Sequence, residues 1–386
     1  MKIVHVSLNG PFTDRWQYQD NLLPKYHKIA GNEVTIITSL FMYDNQGKLS
    51  LDTRSEYYNE DEIKVIRLKT LRDKSIHYKF KRYTGLFESI ELEEPELLFV
   101  HGVQFLDIRI IVKYVKKYFH CKLLIDNHAD FSNSATNWLS KNILHKILWR
   151  HCAKMVEPFT TKFFGVLPAR VDFLRSVYKL PEKKLDLLVM GADDELVRNV
   201  LSFRENNLIK NHHNIKDKDF IIVTGGKVDD AKSQTLLLME AINRLETENI
   251  KLIVFGSISK SLRIEFDRLL SSDHIFYEGW LTPEDCMKYF ASANLVVFPG
   301  RHSVFWEQVV PLGVPMLVKY WEGTTHIDIG GNCLYLYDDS IEEITEKLLD
   351  IVFVPKKYEL LKQNSLKTER SNFLYSKIAA KSLESL

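Results

Sequence analysis

Two lysines follow a pair of glycines where a predicted strand gives way to a predicted helix. The segment GGKVDDAK, residues 225–232, comes after the apolar run DFIIVT and before SQTLLLMEAINRL, which has helical periodicity. Gly225 and Gly226 carry no Cβ, so the backbone can turn sharply and a ligand can approach it closely. With the free N–H groups of a helix N-terminus, Lys227 and Lys232 would suit an anion such as a diphosphate. The alternative is that these lysines and the two aspartates between them form a solvated charged face.

The elements that would position these residues alternate between strand and helix in both halves of the chain. Short β-rich runs alternate with helical patterns, as in an open parallel sheet with helices on both faces. The predicted strands are KIVHVSL, EVTIITS, IKVIRLK, PELLFVHG, KLLIDNHA, FFGVL and LDLLVMG, then FIIVT, KLIVFG, HIFYEG, NLVVFPG, VPMLVKY and CLYLY. A polar stretch over 193–219 separates the two series. We therefore predict two doubly wound α/β domains, at 1–200 and 201–365.

Several predicted strands end in a glycine or a histidine. The residues are His101, Gly102, His128, Gly191 and Gly256. Parallel α/β sheets bind their ligands at the carboxyl ends of the strands, where loops lead into helix N-termini. If the carboxyl edges of the two domains face one another, they enclose a deep cleft, which is the expected ligand site.

Composition limits the classes of function. The 386 residues are 45% hydrophobic and 27% charged, as in a globular protein of about two domains. The net charge of +1 gives no global field that favours nucleic acid as a partner. No segment reaches 18 uninterrupted apolar residues and the first apolar run is too short for a signal peptide, so we expect a cytoplasmic protein. The four cysteines have no C-x-x-C spacing, so we expect reduced thiols and no zinc site.

Segments along nearly the whole chain resemble the family 4 retaining glycosyltransferases. VTGGKVDDAKSQTLLLMEAI is similar to the segment in which a basic residue follows a glycine and a lysine stands five positions on. GNEVTIIT resembles G-H-E-V-T-V, MGADDE resembles the N-G-V-D hinge, and EQVVPLGVPML resembles E-A-x-A-x-G-x-P-V. The resemblance implies the GT-B fold, in which two Rossmann-like, doubly wound parallel-sheet domains face each other across a deep cleft. It also implies acceptor binding by the first domain and nucleotide-sugar binding by the second.

The resemblance assigns roles to individual residues. The two basic side chains that grip the diphosphate match Lys227, where the family more often has arginine, and Lys232. Glu307 matches the glutamate that accepts hydrogen bonds from two ribose hydroxyls, and we expect it early in a helix with Ser303 as N-cap. Its apolar neighbours mean that this charge needs a partner. The expected donor-binding residues are Gly10, Gly226, Lys227, Lys232, Gly256, Trp280, Leu281, His302, Ser303, Val304 and Glu307.

One feature departs from the family pattern. A second glutamate normally stands eight positions before the one matched by Glu307, but this chain has Pro299 there. The family glutamate that contacts the donor sugar is therefore missing, and Arg301, His302 or Ser303 stands in a shortened loop instead. N–H groups of that loop would still be able to cap the distal phosphate.

The first domain contributes three further candidates. His128 matches the cleft histidine of the family and is a candidate catalytic residue beside the two lysines; the alternative is a structural histidine satisfied by Asp130. Tyr18 and Gln19 replace a glycine pair of the first loop, and we expect them on the acceptor side. We expect no metal and no cofactor, because the nucleotide sugar is a substrate and the paired aspartates of the chain suit solvated loops.

The implied reaction is transfer of a hexose from a UDP- or GDP-linked sugar with retention. In such enzymes the leaving diphosphate, not a protein nucleophile, is thought to take the proton of the attacking hydroxyl, so positioning and charge stabilisation carry the catalysis. Two alternatives remain. A non-hydrolysing nucleotide-sugar epimerase has the same two domains, and a binding subunit without turnover would explain the missing glutamate.

Two basic, aromatic stretches, 71–87 and 137–154, lie in the first domain. The second predicts an amphipathic helix with Trp138, Ile143, Leu144, Ile147 and Leu148 opposite Lys141, Lys146, Arg150 and Lys154. This pattern fits peripheral contact with an anionic membrane, and then the acceptor would be a polyprenyl-linked glycan of a bacterial surface polysaccharide. It also fits an ordinary packed helix. The last segment, 366–386, is expected to return to the first domain as a helix, as is common in the GT-B fold.

Overall fold

The structure, a computed structural model, describes residues 1–44, 47–71, 80–202, 213, 215–245, 247, 249–270 and 272–386. It divides into two compact units. The first unit consists of Met1–Val189 together with Tyr375–Leu386, and the second is Met190–Leu374. Each unit is built on its own largely parallel sheet, as the alternation of strands and helices predicts.

The first unit has an eight-stranded sheet and a hairpin. Its strands are β1 (Lys2–Ser7), β2 (Glu33–Ser39), β3 (Phe41–Tyr43), β4 (Leu49–Leu51), β5 (Glu56–Tyr58), β6 (Lys64–Leu68), β7 (Leu97–His101), β8 (Lys122–Asn127), β9 (Lys162–Gly165) and β10 (Leu185–Leu187). Its helices are α1 (Gln19–Ile29), α2 (Leu86–Glu93), α3 (Ile108–Lys117), a π-helix over Ser140–Trp149 that continues into α4 (Arg150–Val156), and α5 (Pro168–Ser176). The sheet order is β10-β9-β8-β7-β1-β2-β6-β5, and only β5 is antiparallel to its neighbour.

Helices cover both faces of this sheet, which explains why its strands are apolar almost without interruption. On β7, Leu98 and Val100 belong to the core on one face, while Leu97 and Phe99 belong to the core on the other. Buried polar side chains on these strands, among them His5, His101 and Asp126, therefore need partners within the protein.

The second unit has a six-stranded parallel sheet. Its strands are β11 (Phe220–Gly225), β12 (Ile250–Phe255), β13 (Ile275–Tyr277), β14 (Leu295–Phe298), β15 (Met316–Lys319) and β16 (Cys333–Leu336). Its helices are α6 (Asp194–Ser202), α7 (Gln234–Arg244), α8 (Arg263–Leu269), α9 (Pro283–Ser292), α10 (Phe305–Val309), α11 (Ile341–Phe353) and α12 (Pro355–Ser365), and α13 (Tyr375–Leu383) follows in the first unit.

The strand order in the second unit is β13-β12-β11-β14-β15-β16. The order reverses between β11 and β14, so the loops after these two strands diverge to opposite faces of the sheet. Such a switch point leaves a crevice at the carboxyl edge, where parallel α/β sheets bind their ligands.

The boundaries of the units differ from those expected. The second unit begins at Met190 and not at 201, because α6 packs against α9 within it. Residues 366–374 also belong to the second unit, and only Tyr375–Leu386 lies in the first, where α13 packs against α1. Residues 203–212, in the polar stretch between the domains, lie outside the described residues.

Two further predictions need adjustment. The helix that carries Glu307 begins at Phe305, with Val304 and not Ser303 at the N-cap position and without a side-chain capping bond. The predicted amphipathic helix forms largely as a π-helix, and most of the other basic stretch, 72–79, lies outside the described residues. Among the helices that the structure describes, none is long and apolar enough to cross a membrane.

Candidate functional site

A pocket opens at the switch point of the second sheet. It is lined by the ends of β11, β12 and β14, by the loops after β11 and β14, and by the approach to α7. The lining residues are Thr224, Gly225, Gly226, Lys227, Val228, Lys232, Thr235, Val254, Phe255, Phe298, Pro299, Gly300, Arg301 and Ser303. The position that lacks the family glutamate, Pro299, thus belongs to the wall of this pocket, and so do Gly226, Lys227, Lys232 and Ser303 from the predicted set.

Three glycines let the pocket walls approach one another. A Cβ on Gly225 would lie 2.2 Å from the ring of Phe255, and a Cβ on Gly256 would lie 1.8 Å from the carbonyl oxygen of Gly226. Gly226 and Gly256 also have φ angles of +120° and +117°, which L side chains rarely adopt. The backbone is held there by hydrogen bonds from Gly226 N–H to Phe255 and from Gly256 N–H to Gly279, at 3.0 and 2.6 Å. Glycine is therefore required at Gly225 and Gly256 because a Cβ would clash, and at Gly226 because of its backbone conformation.

Positive charge dominates the pocket. Lys227, Lys232 and Arg301 line it, and the one ion pair described among them joins Lys227 Nζ to Asp229 at 3.1 Å. Lys227 is 66% exposed, whereas Lys232 is half-buried. Burial lowers the pKa of Lys232, Asp229 acts in the opposite direction, and the like charges of Lys227 and Arg301 lower it further. An anion in the pocket would relieve this repulsion.

The N-terminus of α7 adds polarity of the same sign. The helix begins at Gln234, its first turn has no acidic residue, and the side chain of the N-cap residue Ser233 makes no capping hydrogen bond. Thr235, in the first turn, is part of the pocket lining. The positive end of the helix dipole therefore lies at the pocket wall, beside Lys232.

Glu307 lies outside the pocket lining and is fully buried. Its Oε1 is 2.8 Å from Nε2 of His302 and 2.8 Å from Nε2 of His326, so it accepts a hydrogen bond from each ring. Burial alone would raise the pKa of Glu307, but the two imidazoles hold it at about 2. The partner that this charge needs is therefore a pair of histidines. Oε2 has no hydrogen-bond partner among the described residues.

The other predicted donor-binding residues occupy different places. Trp280 is 80% exposed and Leu281 is partly exposed, in the loop between β13 and α9. His302 and Val304 stand beside the pocket lining in the loop after β14. Gly10 belongs to the first unit, in an exposed loop after β1, and a Cβ there would meet no atom within 4 Å. The structure gives no steric reason for a glycine at that position.

In the first unit, His128 pairs with Asp126 and not with Asp130. Nε2 of His128 is 3.3 Å from Oδ2 of Asp126, which is fully buried at the end of β8. Asp130 instead binds Arg170, at 3.0 Å. The side chain of His128 is partly exposed, so this dyad reaches the carboxyl edge of the sheet. Asp126 was missed by the sequence analysis, although its place at a strand end, two residues before His128, is a usable signal.

The two residues expected on the acceptor side differ in exposure. Tyr18 is exposed at the N-cap position of α1. Gln19 is buried, and its Nε2 donates to Oδ2 of Asp126 at 3.0 Å. Gln19 therefore does not present its side chain to solvent; it helps to hold the carboxylate beneath His128.

One group of three side chains in the described part of the chain brings possible metal ligands together. The ligand atoms of His101, Asp126 and His128 lie within 4.8 Å of one another. Nδ1 of His101 is 2.7 Å from Oδ2 of Asp126, which is a hydrogen-bond distance. Hydrogen bonding accounts for this cluster.

A polar network that the sequence analysis missed lies beside it. Nζ of Lys81 donates to Oδ1 of Asn9, and Nδ2 of Asn9 donates to Gln104 at 2.9 Å. Lys81 has a φ of +54°, which is uncommon for a residue with a Cβ, and burial lowers its pKa to about 8. Its place in the basic stretch 71–87 gave no sign of this burial.

Comparisons with known proteins agree with this architecture. Residues 205–364 match the sequence profile of the family described as Glycosyl transferases group 1. No curated protein matches the chain in a sequence comparison. Among solved structures it is similar to sucrose-phosphate synthase from Thermosynechococcus elongatus, at 15% identity and a TM-score of 0.68, over 98% of this chain and 96% of that chain.

Two further similar structures contain nucleotides. One is HepE of Anabaena in complex with UDP, at 14% identity and a TM-score of 0.68, over 100% of both chains. The other is UDP-GlcNAc 2-epimerase from Neisseria meningitidis bound to UDP-GlcNAc, at 14% identity and a TM-score of 0.62, over 99% of both chains.

At such identities these likenesses show the fold, and the chain has the GT-B fold that glycosyltransferases share with epimerases. The match to the Glycosyl transferases group 1 profile covers most of the second unit. Together with the fold, this match supports a glycosyltransferase.

Proposed function

We propose that this protein is a retaining glycosyltransferase of the family 4 type. It moves a hexose from a UDP- or GDP-linked sugar to a glycan or polyprenyl-linked acceptor in the synthesis of a bacterial surface polysaccharide. The observation that carries the proposal is the pocket of the second unit, where Lys227, Lys232 and Arg301 surround a glycine-lined crevice at the N-terminus of α7. Three cations beside the positive end of a helix dipole, with one ion pair among the described residues, suit a diphosphate.

In the proposed reaction the bond between the anomeric carbon and the diphosphate oxygen breaks, and the acceptor oxygen bonds to that carbon on the same face. The proton of the acceptor hydroxyl goes to the leaving diphosphate. Lys227 and Lys232 stabilise the charge that develops on this leaving group, and no protein nucleophile and no metal or cofactor takes part. HepE, which is complexed with UDP and in another structure with UDP-glucose, supports a nucleotide-sugar donor.

His128 is the proposed catalytic residue of the first unit. Its Nε2–H points to Asp126, so the other ring nitrogen is the one available at the carboxyl edge of the sheet. From this edge His128 would contact the acceptor, and Tyr18, which is exposed at the start of α1, is the second proposed residue of the acceptor side. Gln19 acts on His128 only indirectly, through its hydrogen bond to Asp126.

Calorimetric binding of UDP, GDP and their common sugar conjugates tests the phosphate site. Loss of two charge-assisted contacts in a Lys227→Ala, Lys232→Ala double variant should weaken binding by about 10²-fold or more. A Lys218→Ala, Lys356→Ala double variant loses the same charge from exposed positions of the same unit outside the pocket, and should bind like the wild type. Failure of the wild-type protein to bind any of these nucleotides would refute the proposal.

Peripheral membrane contact is part of the proposal and is supported by a patch on the first unit. The patch consists of exposed apolar side chains between β8 and α4: Phe131, Trp138, Leu139, Ile143 and Ile147. Leu144 and Leu148, predicted on the same face, pack against the core instead. Lys141 lies beside the patch, with Nζ 4.7 Å from the ring centroid of Phe131. Apolar anchors beside lysines suit an anionic bilayer surface.

Vesicle flotation tests this contact. A Trp138→Ser, Ile147→Ser double variant should lose most of its binding to anionic vesicles, since these are the two most exposed side chains of the patch, at 71% and 64%. A Leu92→Ser, Phe119→Ser variant removes two exposed apolar side chains that precede β7 and β8, at the amino edge of the sheet, and should bind normally. Equal binding by both variants, or none by the wild type at low salt, would exclude the patch.

An epimerase and a binding subunit without turnover remain the competing functions. The epimerase from Neisseria meningitidis shares the fold, and the loop at Pro299 lacks the family glutamate. Product analysis separates the three. A transferase releases nucleoside diphosphate only as the sugar moves to an acceptor or water, an epimerase alters the sugar and keeps the nucleotide attached, and a binding subunit does neither.

A further inference from the structure

A chain of side-chain hydrogen bonds runs through the interior of the first unit from β8 to α13. Oδ2 of Asp126 is 2.7 Å from Nδ1 of His101, and Nε2 of His101 is 3.1 Å from Nδ1 of His5. Nε2 of His5 is 3.0 Å from Nδ1 of His27, and Nε2 of His27 is 2.8 Å from Oγ of Ser382. All five side chains are buried. The three imidazoles, called the histidine chain below, connect the carboxylate under His128 to the last helix.

Ser382, at the α13 end of the histidine chain, fixes the direction of the hydrogen bonds in the chain. Oγ of Ser382 is also 2.8 Å from the carbonyl oxygen of Ala379, which can only accept, so the hydroxyl proton of Ser382 points to Ala379. Oγ must then accept the Nε2–H of His27. Because a neutral imidazole has a single N–H, Nδ1 of His27 accepts from His5, and Nδ1 of His5 accepts from His101.

The same reasoning places an additional proton at the other end of the histidine chain, where His101 meets Asp126. Nε2 of His101 is a donor, so a neutral His101 would turn a lone pair on Nδ1 toward the carboxylate of Asp126. Two acceptor atoms do not pack at 2.7 Å without a proton between them. The pair therefore holds one proton more than a neutral histidine and a carboxylate would. A buried imidazolium and a carboxylate in contact neutralise each other, which neither ion achieves alone.

The surrounding groups favour this arrangement. Asp20, which accepts from Ser7 at 2.8 Å on the neighbouring strand, adds negative potential near His101. Although burial opposes it, the pKa of His101 is raised by Asp126 and Asp20, and the pKa of Asp126 is lowered by His101 and His128. The pKa of His5 is lowered well below its usual value, first by burial and then by the two flanking imidazoles.

His27 completes this set. Burial lowers its pKa to about 4, a backbone hydrogen bond with Ala379 acts in the opposite direction, and His101 lowers it further. Phe99 packs against His5 and His101, with ring centroids 5.3 and 5.1 Å away, and contributes no charge. The cation of the chain therefore belongs at His101, next to the carboxylate.

We propose that the histidine chain stores one proton on the His101–Asp126 pair and thereby sets the charge beneath His128. His5 and His27 are positioning residues in this device, because they act on His128 only through His101 and Asp126. In a bare aspartate–histidine dyad the carboxylate would place a full negative charge beneath the histidine. Here the proton stored on the His101–Asp126 pair already neutralises the negative charge of that carboxylate. The histidine chain lies wholly within the first unit, so its proton does not depend on the identity of the donor or the acceptor.

Nitrogen NMR of the full-length protein labelled with ¹⁵N-histidine tests this directly. Signals are assigned by their loss in His5→Gln, His27→Gln and His101→Gln variants. At neutral pH we expect both nitrogens of His101 to be protonated, and His5 and His27 to be neutral with the proton on Nε2. A neutral His101 at pH 7, or the Nδ1–H form at His5 or His27, would overturn the proposal on the wild-type protein alone.

Two substitutions at His5 separate the proton store from simple packing. Gln has one acceptor and one donor group, so His5→Gln can continue the chain in the same direction, and His101 should stay doubly protonated at pH 7. His5→Phe has no acceptor, so the Nε2–H of His101 is left without a partner and its titration should move down by about one pH unit or more. Ser382→Ala keeps the carbonyl of Ala379 as an acceptor for His27 and should resemble the wild type. If His5→Phe and His5→Gln titrate alike, the histidine chain has only a structural role.

Discussion

A methyl group at Gly256 should disable the pocket of the second unit. The Cβ of Gly256→Ala would lie 1.8 Å from the carbonyl oxygen of Gly226, whereas ordinary contacts begin near 3.4 Å. The two loops must therefore separate by 3.4 − 1.8 = 1.6 Å, and Gly226 lines the pocket. A misplacement of about 1 Å can cost about 10²-fold in a preorganised site. We expect UDP affinity, measured by calorimetry, to fall by at least about tenfold, or about 1.4 kcal/mol.

Gly279→Ala is the matched control for this substitution. Gly279 also has a positive φ, of +66°, but a Cβ there would meet no atom within 4 Å. In Gly279→Ala the hydrogen bond from Gly256 N–H to the carbonyl of residue 279 can stay in place. The substitution then costs about 1–2 kcal/mol of unfolding free energy, because alanine disfavours a positive φ. Gly256→Ala should lose more stability in urea unfolding and also lose UDP binding. Equal effects of the two variants on binding would refute the steric explanation.

Three further outcomes follow from the side chains. Lys232→Met should weaken UDP binding more than Lys227→Met, because Lys232 is half-buried and makes no described ion pair, whereas Lys227 is exposed and pairs with Asp229. Glu307→Gln should destabilise the protein most at neutral pH: the pKa of Glu307 is lowered from 4.5 to about 2, so its contribution, on the order of 3 kcal/mol, is present above about pH 4.5 and is lost as pH falls to about 2. The wild type should lose stability, on the order of 3 kcal/mol, as pH falls from about 6.5 to about 4, because His27 binds a proton in the unfolded chain but stays neutral when it is buried. His27→Gln should not show this loss.

Each of these outcomes has a clear contrary result. Equal affinities for the two lysine variants would mean that burial does not decide which cation grips the ligand. Urea unfolding at several pH values measures the other two. The partners described for Glu307 are contradicted if the difference in unfolding free energy between wild type and Glu307→Gln stays constant from pH 5 to about 2. The burial described for His27 is contradicted if the unfolding free energies of wild type and His27→Gln depend on acidic pH in the same way.

Most of the fold could be predicted from the sequence, because its signal is local. Each buried parallel strand is rich in apolar residues, and each predicted run from KIVHVSL to CLYLY overlaps a strand of the structure. The exceptions have local reasons too. The hairpin β3–β4 and the edge strand β5 are only three residues long and expose much of their surface, so they lack the apolar signal. The first domain boundary fell at 200 because α6 looks polar along the chain, although one face of it packs on α9.

The candidate site could be predicted only where the residues are close in sequence. Gly226, Lys227 and Lys232 lie in the single loop between β11 and α7, and the structure brings them to one pocket. Partners that lie far apart in sequence leave no such pattern. His27 and Ser382 are 355 positions apart, and their contact exists only because α13 packs on α1.

Glu307 shows how a physical rule and a resemblance can each give part of an answer. The rule that a buried charge needs partners is satisfied within the unit, because His302 and His326 both donate to Oε1. The resemblance assigns the same carboxylate to ribose hydroxyls. A carboxylate offers two oxygens with about four lone-pair sites, and Oε2 has no partner among the described residues. The histidines therefore fix the carboxylate by one oxygen and leave the other free to accept. Since Oε2 is buried, ribose can reach it only if the side chains that cover it move, so a ribose role for Glu307 requires a local rearrangement when nucleotide binds.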